Sequence, residues 1–170
     1  MIWQKILVAV DLSTIARIAF EQSLTLAQAT GASLILLHVL SADEEGSPTK
    51  WLYTVDDRFL LPDVWQIMVE EYEKEWKSFQ QEGLVALEAM KKEAIQQKVN
   101  TEILQILGSP GRTICQQAKE LAVDLIAIGN RGRSGVQELF LGSVSNYVIH
   151  HAACSVLIVR NPNYNKAQKN

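Results

Sequence analysis

The sequence predicts an α/β fold, an open five-stranded parallel sheet with helices on both faces. Three observations lead there. Five short apolar runs are spaced along the 170 residues: KILVAV (Lys5–Val10), SLILLHVL (Ser33–Leu40), TEILQIL (Thr101–Leu107), DLIAIG (Asp124–Gly129) and SVLIVR (Ser155–Arg160). Segments with helical periodicity separate them, so the order is β-α-β-α-β-α-β-α-β. Four of the runs are near-continuous in Ile, Leu and Val, as expected for strands buried on both faces of a parallel sheet. Strand–helix–strand alternation then implies right-handed crossovers and helices above and below one sheet.

Each element can be justified in turn. After the first strand, Ser13 to Thr30 carries apolar residues at Ile15, Ile18 or Ala19, Leu24, Leu26 and Ala29, with Gly31 as C-cap. The second strand follows, and then a stretch that fits no element, Ser41 to Asp63. It holds SADEEGSP, two prolines and the aromatics Trp51, Tyr53 and Phe59. An irregular connection of that length is usually functional or disordered. Those aromatics would cover a pocket, join a dimer contact or tuck onto the next helix, and the sequence does not rank these. Val64 to Val99 is the longest helical segment. Trp65, Met68, Tyr72, Trp76 and Phe79 recur every three or four residues, and Leu87, Met90, Ala94 and Ile95 continue the face. This stripe is expected to pack on the sheet, with the EEYEKEWK charges in solvent and Gly83 softening or kinking the helix. The third run alternates, with polar Glu102 and Gln105, which suits a strand nearer an edge. A short helix from Arg112 to Ala122 follows GSPG, with Pro110 or Gly111 at its start. Ser143 to His151 forms the fourth helix. The expected organisation is one domain over residues 1–160 with an irregular insertion at about 41–63, and a flexible polar tail over 161–170.

Composition excludes several function classes. Hydrophobic content of 48% and charged content of 21% are ordinary for a globular chain. The net charge of −3 gives no electrostatic case for nucleic acid or a membrane surface. The apolar runs fall far short of the ~20 residues of a membrane span. MIWQKILVAVDLS lacks the parts of a signal peptide, so the cytoplasm is the expected compartment. Cys115 and Cys154 lack metal-ligand spacing and are expected to be small core residues rather than a disulfide. His38 is expected to be a packed or hydrogen-bonded core histidine. His150 and His151 end a helix, where cations are favoured, and nothing in their pattern makes a metal site.

In an open α/β sheet, ligands bind beyond the carboxyl ends of the strands, where strand order reverses. If the first and fourth strands are neighbours, Asp11 and the loop after Gly129 come together. That loop, IGNRGRSGVQELFLGSVSN, has the chemistry of an anion cradle. Gly132 and Gly135 leave room for a ligand at the backbone. Gly142-Ser143 opens a helix, whose orphan N–H groups and dipole attract phosphate. Ser143 and Ser145 would add hydroxyl donors, and Arg131 and Arg133 charge-assisted bonds. Arg133 is equally well explained as solvated. There is no P-loop motif and no G-x-G-x-x-G after the first strand. The first strand ends instead in AVDLS. A carboxylate there repels phosphate but accepts hydrogen bonds from ribose hydroxyls; Asp11 or Ser13 also suits the N-cap of the first helix, which does not exclude ligand contact.

The spacing G-x-x-G, nine residues, G-S, together with the topology, resembles the universal stress protein family, in the subgroup that binds ATP. The resemblance covers KILVAVDLS, LLHV, GSPGRTI, DLIAIGNRGRSGVQELFLGSVSNYVIHHA and CSVLIVR, nearly the whole chain. It implies a Rossmann-like fold of the adenine nucleotide alpha hydrolase type. It implies that Asp11 holds the ribose or adenine side, with Val39 and Ala9 along the adenine. Gly129, Arg131 and Gly132 would wrap the ribose and first phosphates. Gly142, Ser143, Val144 and Ser145 would hold the remaining phosphates, with any Mg²⁺ carried by ATP rather than by the protein. It also implies a homodimer paired through the last strand, residues 155–160, and a nucleotide-dependent regulatory or signalling role in stress response. One departure is Ala153, where the family often has Pro after HHA; it should affect the turn more than the ligand. The rival functions are a nucleotide-independent dimerisation or interaction module and a slow ATPase. No orienting base is evident near the phosphates, so hydrolysis would be weak at most.

Overall fold

A computed structural model describes residues 3–42, 44, 46–48, 62–130 and 141–160. Trp51, Tyr53, Phe59, Arg131, Gly132, Arg133, Gly135 and the tail 161–170 lie outside the described residues.

Nine elements follow in the expected order. They are β1 (Lys5–Ala9), α1 (Thr14–Thr30), β2 (Ser33–Leu40), α2 (Pro62–Gln96), β3 (Thr101–Leu107), α3 (Pro110–Glu120), β4 (Leu125–Gly129), α4 (Ser143–His151) and β5 (Ser155–Val159). The five strands form one sheet in the order β3-β2-β1-β4-β5, with every neighbouring pair parallel. The chain winds outward from β1 to β3, then returns to β4 on the other side of β1. Strand order therefore reverses between β1 and β4, where Val8 pairs with Ala127.

Continuous apolar strands are explained by the two cores. Ile6, Val8, Leu34, Leu36, Leu125 and Ala127 face one layer, with Phe20 and Leu24 of α1 and Leu87 and Ala94 of α2. Leu7, Leu37, Val39, Ile126 and Ile128 face the other, with Ile114 of α3 and Val148 of α4. Side chains of a strand alternate between faces, and here both faces are covered, so the central strands are apolar at most positions, with buried His38 on β2 an exception.

Local signals place the helix ends. Ser13 is the N-cap of α1, and its hydroxyl accepts from the Ala16 N–H. Gly31 closes that helix at φ 75°, left-handed backbone that glycine adopts without a Cβ penalty, and its N–H donates to Ala27 O. Pro110 opens α3, where a missing N–H costs nothing.

Two expectations need correction. The Trp65–Trp76 stripe is not buried in the core, since Trp65 remains 42% exposed and Met68, Tyr72 and Trp76 are only partly buried. The reason is length: the 35 residues of α2 span about 52 Å, roughly twice the longest strand. Only the second half, from Phe79 to Ala94, reaches the core. Ile95 is exposed, because Ala94 beside it takes the buried position. Gly83 lies within α2, which is one continuous helix. The missing Cβ of Gly83 lets the helix approach β2 and β3. A Cβ there would collide with His38 Nδ1 and lie 2.6 Å from Gln105 Nε2.

Candidate functional site

The site forms where strand order reverses. Ala9 and Val39 are buried on the α3/α4 side of the sheet, and Val144 of α4 packs against the same apolar cluster. They give the crevice a wall without hydrogen-bonding side chains. Val39 also pairs with Ile106 of β3, a wall residue that the sequence pattern did not single out.

Asp11 follows β1 and turns the chain into α1. Its Oδ1 accepts from the Ser13 N–H at 3.0 Å and from the Ser13 hydroxyl. Ser13, not Asp11, therefore caps α1, and Asp11 orients the cap. Among the described residues Asp11 Oδ2 has no hydrogen-bond donor, so the half-exposed carboxylate keeps an acceptor for a hydroxyl from outside.

Gly129 ends β4 directly against the first turn of α1. A Cβ at this position would stand 2.9 Å from Ile15 Cγ2. Glycine is needed here for closeness, and that closeness brings the Asp11 side of the crevice to the start of the loop. Asn130 comes next. Its N–H donates to Val159 O at 2.8 Å, and its carbonyl accepts from the Gly142 N–H at 2.8 Å. The chain thus leaves at residue 130 and returns to the same point at residue 142.

Gly142 is the N-cap of α4, and among the described residues no side chain caps this helix end. The amides of Ser143, Val144 and Ser145 are its orphan donors, at the positive end of the helix dipole. Ser143, the first residue of α4, is exposed. Ser145 differs from expectation. It is buried, and its hydroxyl lies 3.0 Å from both Asn130 O and Gly142 O. The hydroxyl is used inside the fold and does not stand free as a donor. Asn130 is the residue here that sequence reasoning missed. The available signal was the position of Asn130, next to the first loop glycine.

Of the expected residues, the structure therefore gathers Ala9, Asp11, Val39, Gly129, Gly142, Ser143, Val144 and Ser145 around the β1 and β4 ends. Arg131, Gly132 and Arg133 fall outside the described residues.

The remaining chemistry-bearing groups are structural. Buried His38 sits on the opposite face from Val39. Its Nδ1 is 3.1 Å from Gln105 Nε2, which also lies 3.0 Å from Gln80 O. An amide nitrogen only donates, so His38 Nδ1 accepts and His38 Nε2–H donates to the Glu44 carboxylate at 3.0 Å. Cys115 and Cys154 are half-buried free thiols, each pushed above its usual pKa by burial. Among the described residues no group of three His, Cys, Asp or Glu side chains could hold a metal, and no helix is long and apolar enough to cross a membrane. A hollow of about 590 Å³ lined by Gln4, Gln28, Gly31, Lys98 and Asn100 opens at the amino ends of the strands, far from the reversal point.

Comparison with known proteins agrees with this architecture. The model of the universal stress protein family matches residues 3–160. The chain is 36% identical over 159 residues to the universal stress protein YxiE of Bacillus subtilis, covering 93% of this chain and 99% of that one. It is 34% identical over 164 residues to the universal stress protein Sll1388 of Synechocystis, covering 92% and 97%. The solved structure of MJ0577 of Methanocaldococcus jannaschii superposes with a TM-score of 0.73 at 27% identity, over 96% of this chain and 99% of that one. An Arabidopsis thaliana family member solved with AMP bound has a TM-score of 0.60 at 22% identity, over 98% and 97%.

Proposed function

The chain belongs to the universal stress protein family, and we propose that it binds an adenine nucleotide, ATP in the first instance, and uses occupancy of the site as a regulatory signal in stress response. One observation carries this reading. The uncapped start of α4 is tied by the Gly142–Asn130 hydrogen bond to the end of β4, at the point where strand order reverses. Backbone donors there favour an anion, and the nearby wall of Ala9 and Val39 favours a flat apolar group. Asp11 stands between them as an acceptor for ribose hydroxyls. A nucleotide has these three parts in this order.

In the proposed complex Ala9 and Val39 line the adenine, and Asp11 and Gly129 hold the ribose. The amides of Ser143, Val144 and Ser145, with the Ser143 hydroxyl, receive the phosphates. Arg131, Gly132 and Arg133 are proposed from the loop's glycine spacing alone, as further contacts to ribose and phosphate. Any Mg²⁺ would arrive on the phosphates. Among the described residues no carboxylate pair or histidine stands beside the helix start, and binding rather than turnover is the proposed chemistry. The AMP bound in the Arabidopsis relative belongs to that protein; at 22% identity it speaks for the fold alone. A cytoplasmic homodimer is the proposed working form.

The test is to purify the protein, denature it, and identify any released nucleotide by mass and absorbance. Calorimetry with ATP, ADP, AMP and cyclic AMP follows on ligand-free protein. Saturable binding that Gly142→Asp abolishes is expected, because a carboxylate at the N-cap opposes phosphate. Absence of saturable heat with all four nucleotides would overturn the reading in favour of an interaction module. Partner binding indifferent to ATP and to Gly142→Asp would do the same.

A further inference from the structure

We propose that the buried hydroxyl of Ser145 positions the phosphate end of this site without itself touching the ligand. The inference rests on the proposed nucleotide site but has a test of its own.

The hydrogen bonds around Asn130 and Gly142 form a closed set. The Gly142 N–H donates to Asn130 O at 2.8 Å. The single Ser145 hydroxyl proton is shared between Asn130 O and Gly142 O, both at 3.0 Å. The Asn146 N–H donates to the same Gly142 O at 2.9 Å, which is the first regular bond of α4. The Asn130 N–H donates to Val159 O, which ties the set to β5. Ser145 is only 2% exposed, so water does not replace its hydroxyl at these carbonyls.

The geometry has a specific consequence. Ser145 belongs to the first turn of α4, and Asn130 to the end of β4. Their bond fixes the direction in which the helix start points relative to Gly129 and the α1 turn. The chain between residues 130 and 142 does not have to supply that alignment. The three orphan amides are aimed at the crevice before a ligand arrives, which spares the ligand the cost of ordering them. Ser143 is the opposite case: it is exposed, and among the described residues no hydrogen bond of its hydroxyl is seen.

The experiment measures amide exchange by NMR on ligand-free protein, then nucleotide affinity. The Gly142 amide should be protected about tenfold or more over those of Ser143 and Val144, which gain protection only with ATP. Ser145→Ala should erase the Gly142 protection and weaken ATP by about tenfold, while leaving adenosine affinity unchanged. Ser145→Thr, which retains the hydroxyl, should restore both. A Gly142 amide exchanging as fast as its neighbours in the wild-type protein would refute the clasp, even if Ser145→Ala does not fold. Equal loss of ATP and adenosine would refute a positioning role, since a merely structural hydroxyl would give that result. If wild-type protein binds no nucleotide, the functional reading fails and the exchange data alone decide the clasp.

Discussion

Asp124 lies one residue before β4, and its Oδ2 accepts from the backbone N–H groups of Gln4 and Lys5 at 2.8 and 2.9 Å. Those two donors, with the Lys5 charge, hold its carboxyl below the usual carboxylate pKa. A folded pKa below the unfolded one contributes stability that is present above the unfolded value and lost as pH falls through the folded one. Asp124→Asn keeps an oxygen for both N–H groups and removes only the charge. Its melting temperature should fall below that of wild type at neutral pH, and the gap should close at a pH well below the carboxylate range. A gap that persists in acid would mean that geometry rather than charge holds this edge of β1. Residues of this kind were partly legible beforehand. Ser13 as a cap and Gly31 at a helix end follow from local rules. The Asp124 bond to a strand 119 residues earlier does not, because it depends on β1 and β4 being neighbours.

At the scale of elements, α2 and β2 give the clearest case. An alanine replacing glycine inside an exposed helix would normally stabilise it by about 1 kcal/mol. At Gly83 the added Cβ meets the His38 ring and Gln105, and relief requires moving a buried imidazole already bonded on both nitrogens. Overpacking of this kind costs roughly 1–3 kcal/mol, so the steric effect should win. Gly83→Ala is expected to lower the urea midpoint without changing the slope; an unchanged or higher midpoint would show that α2 shifts freely over β2. The same network joins the residues after β2 to the sheet, through the Glu44 carboxylate on His38. Hydrophobic spacing had identified α2 as a helix correctly. It overestimated how much of that helix is covered, because periodicity reports a face and not the extent of what lies beneath it.

The whole molecule has two sheet edges of different character. β3 carries Glu102 and Gln105 and reads as an edge in sequence. β5 is Ser-Val-Leu-Ile-Val, without a charge, yet it too stands at an edge with Val156, Leu157 and Ile158 only partly buried. Uncharged apolar edges invite pairing, which supports the proposed homodimer through residues 155–160. Sedimentation should give about twice the 19.0 kDa chain mass, and Val156→Lys should return the protein to one chain. A wild-type protein that sediments as one chain at all concentrations would remove the dimer from the proposal. A nucleotide bound only by the native state would also raise the melting temperature. At one hundred times its Kd the stabilisation is about 2.7 kcal/mol.

By itself the sequence determined the elements and their order, since apolar period and cap residues are local properties that the chain carries wherever it goes. It also located the glycine spacing and helix start from which a ligand site was expected. Only the tertiary structure decided which strands are neighbours, and hence that Asp11, Gly129 and Gly142 share one crevice. It likewise decided that the Ser145 hydroxyl turns inward while Ser143 stays outside. Two serines two residues apart are alike in sequence. On a helix they point to different sides, and what each side meets depends on β4 and β5, which the local pattern does not contain.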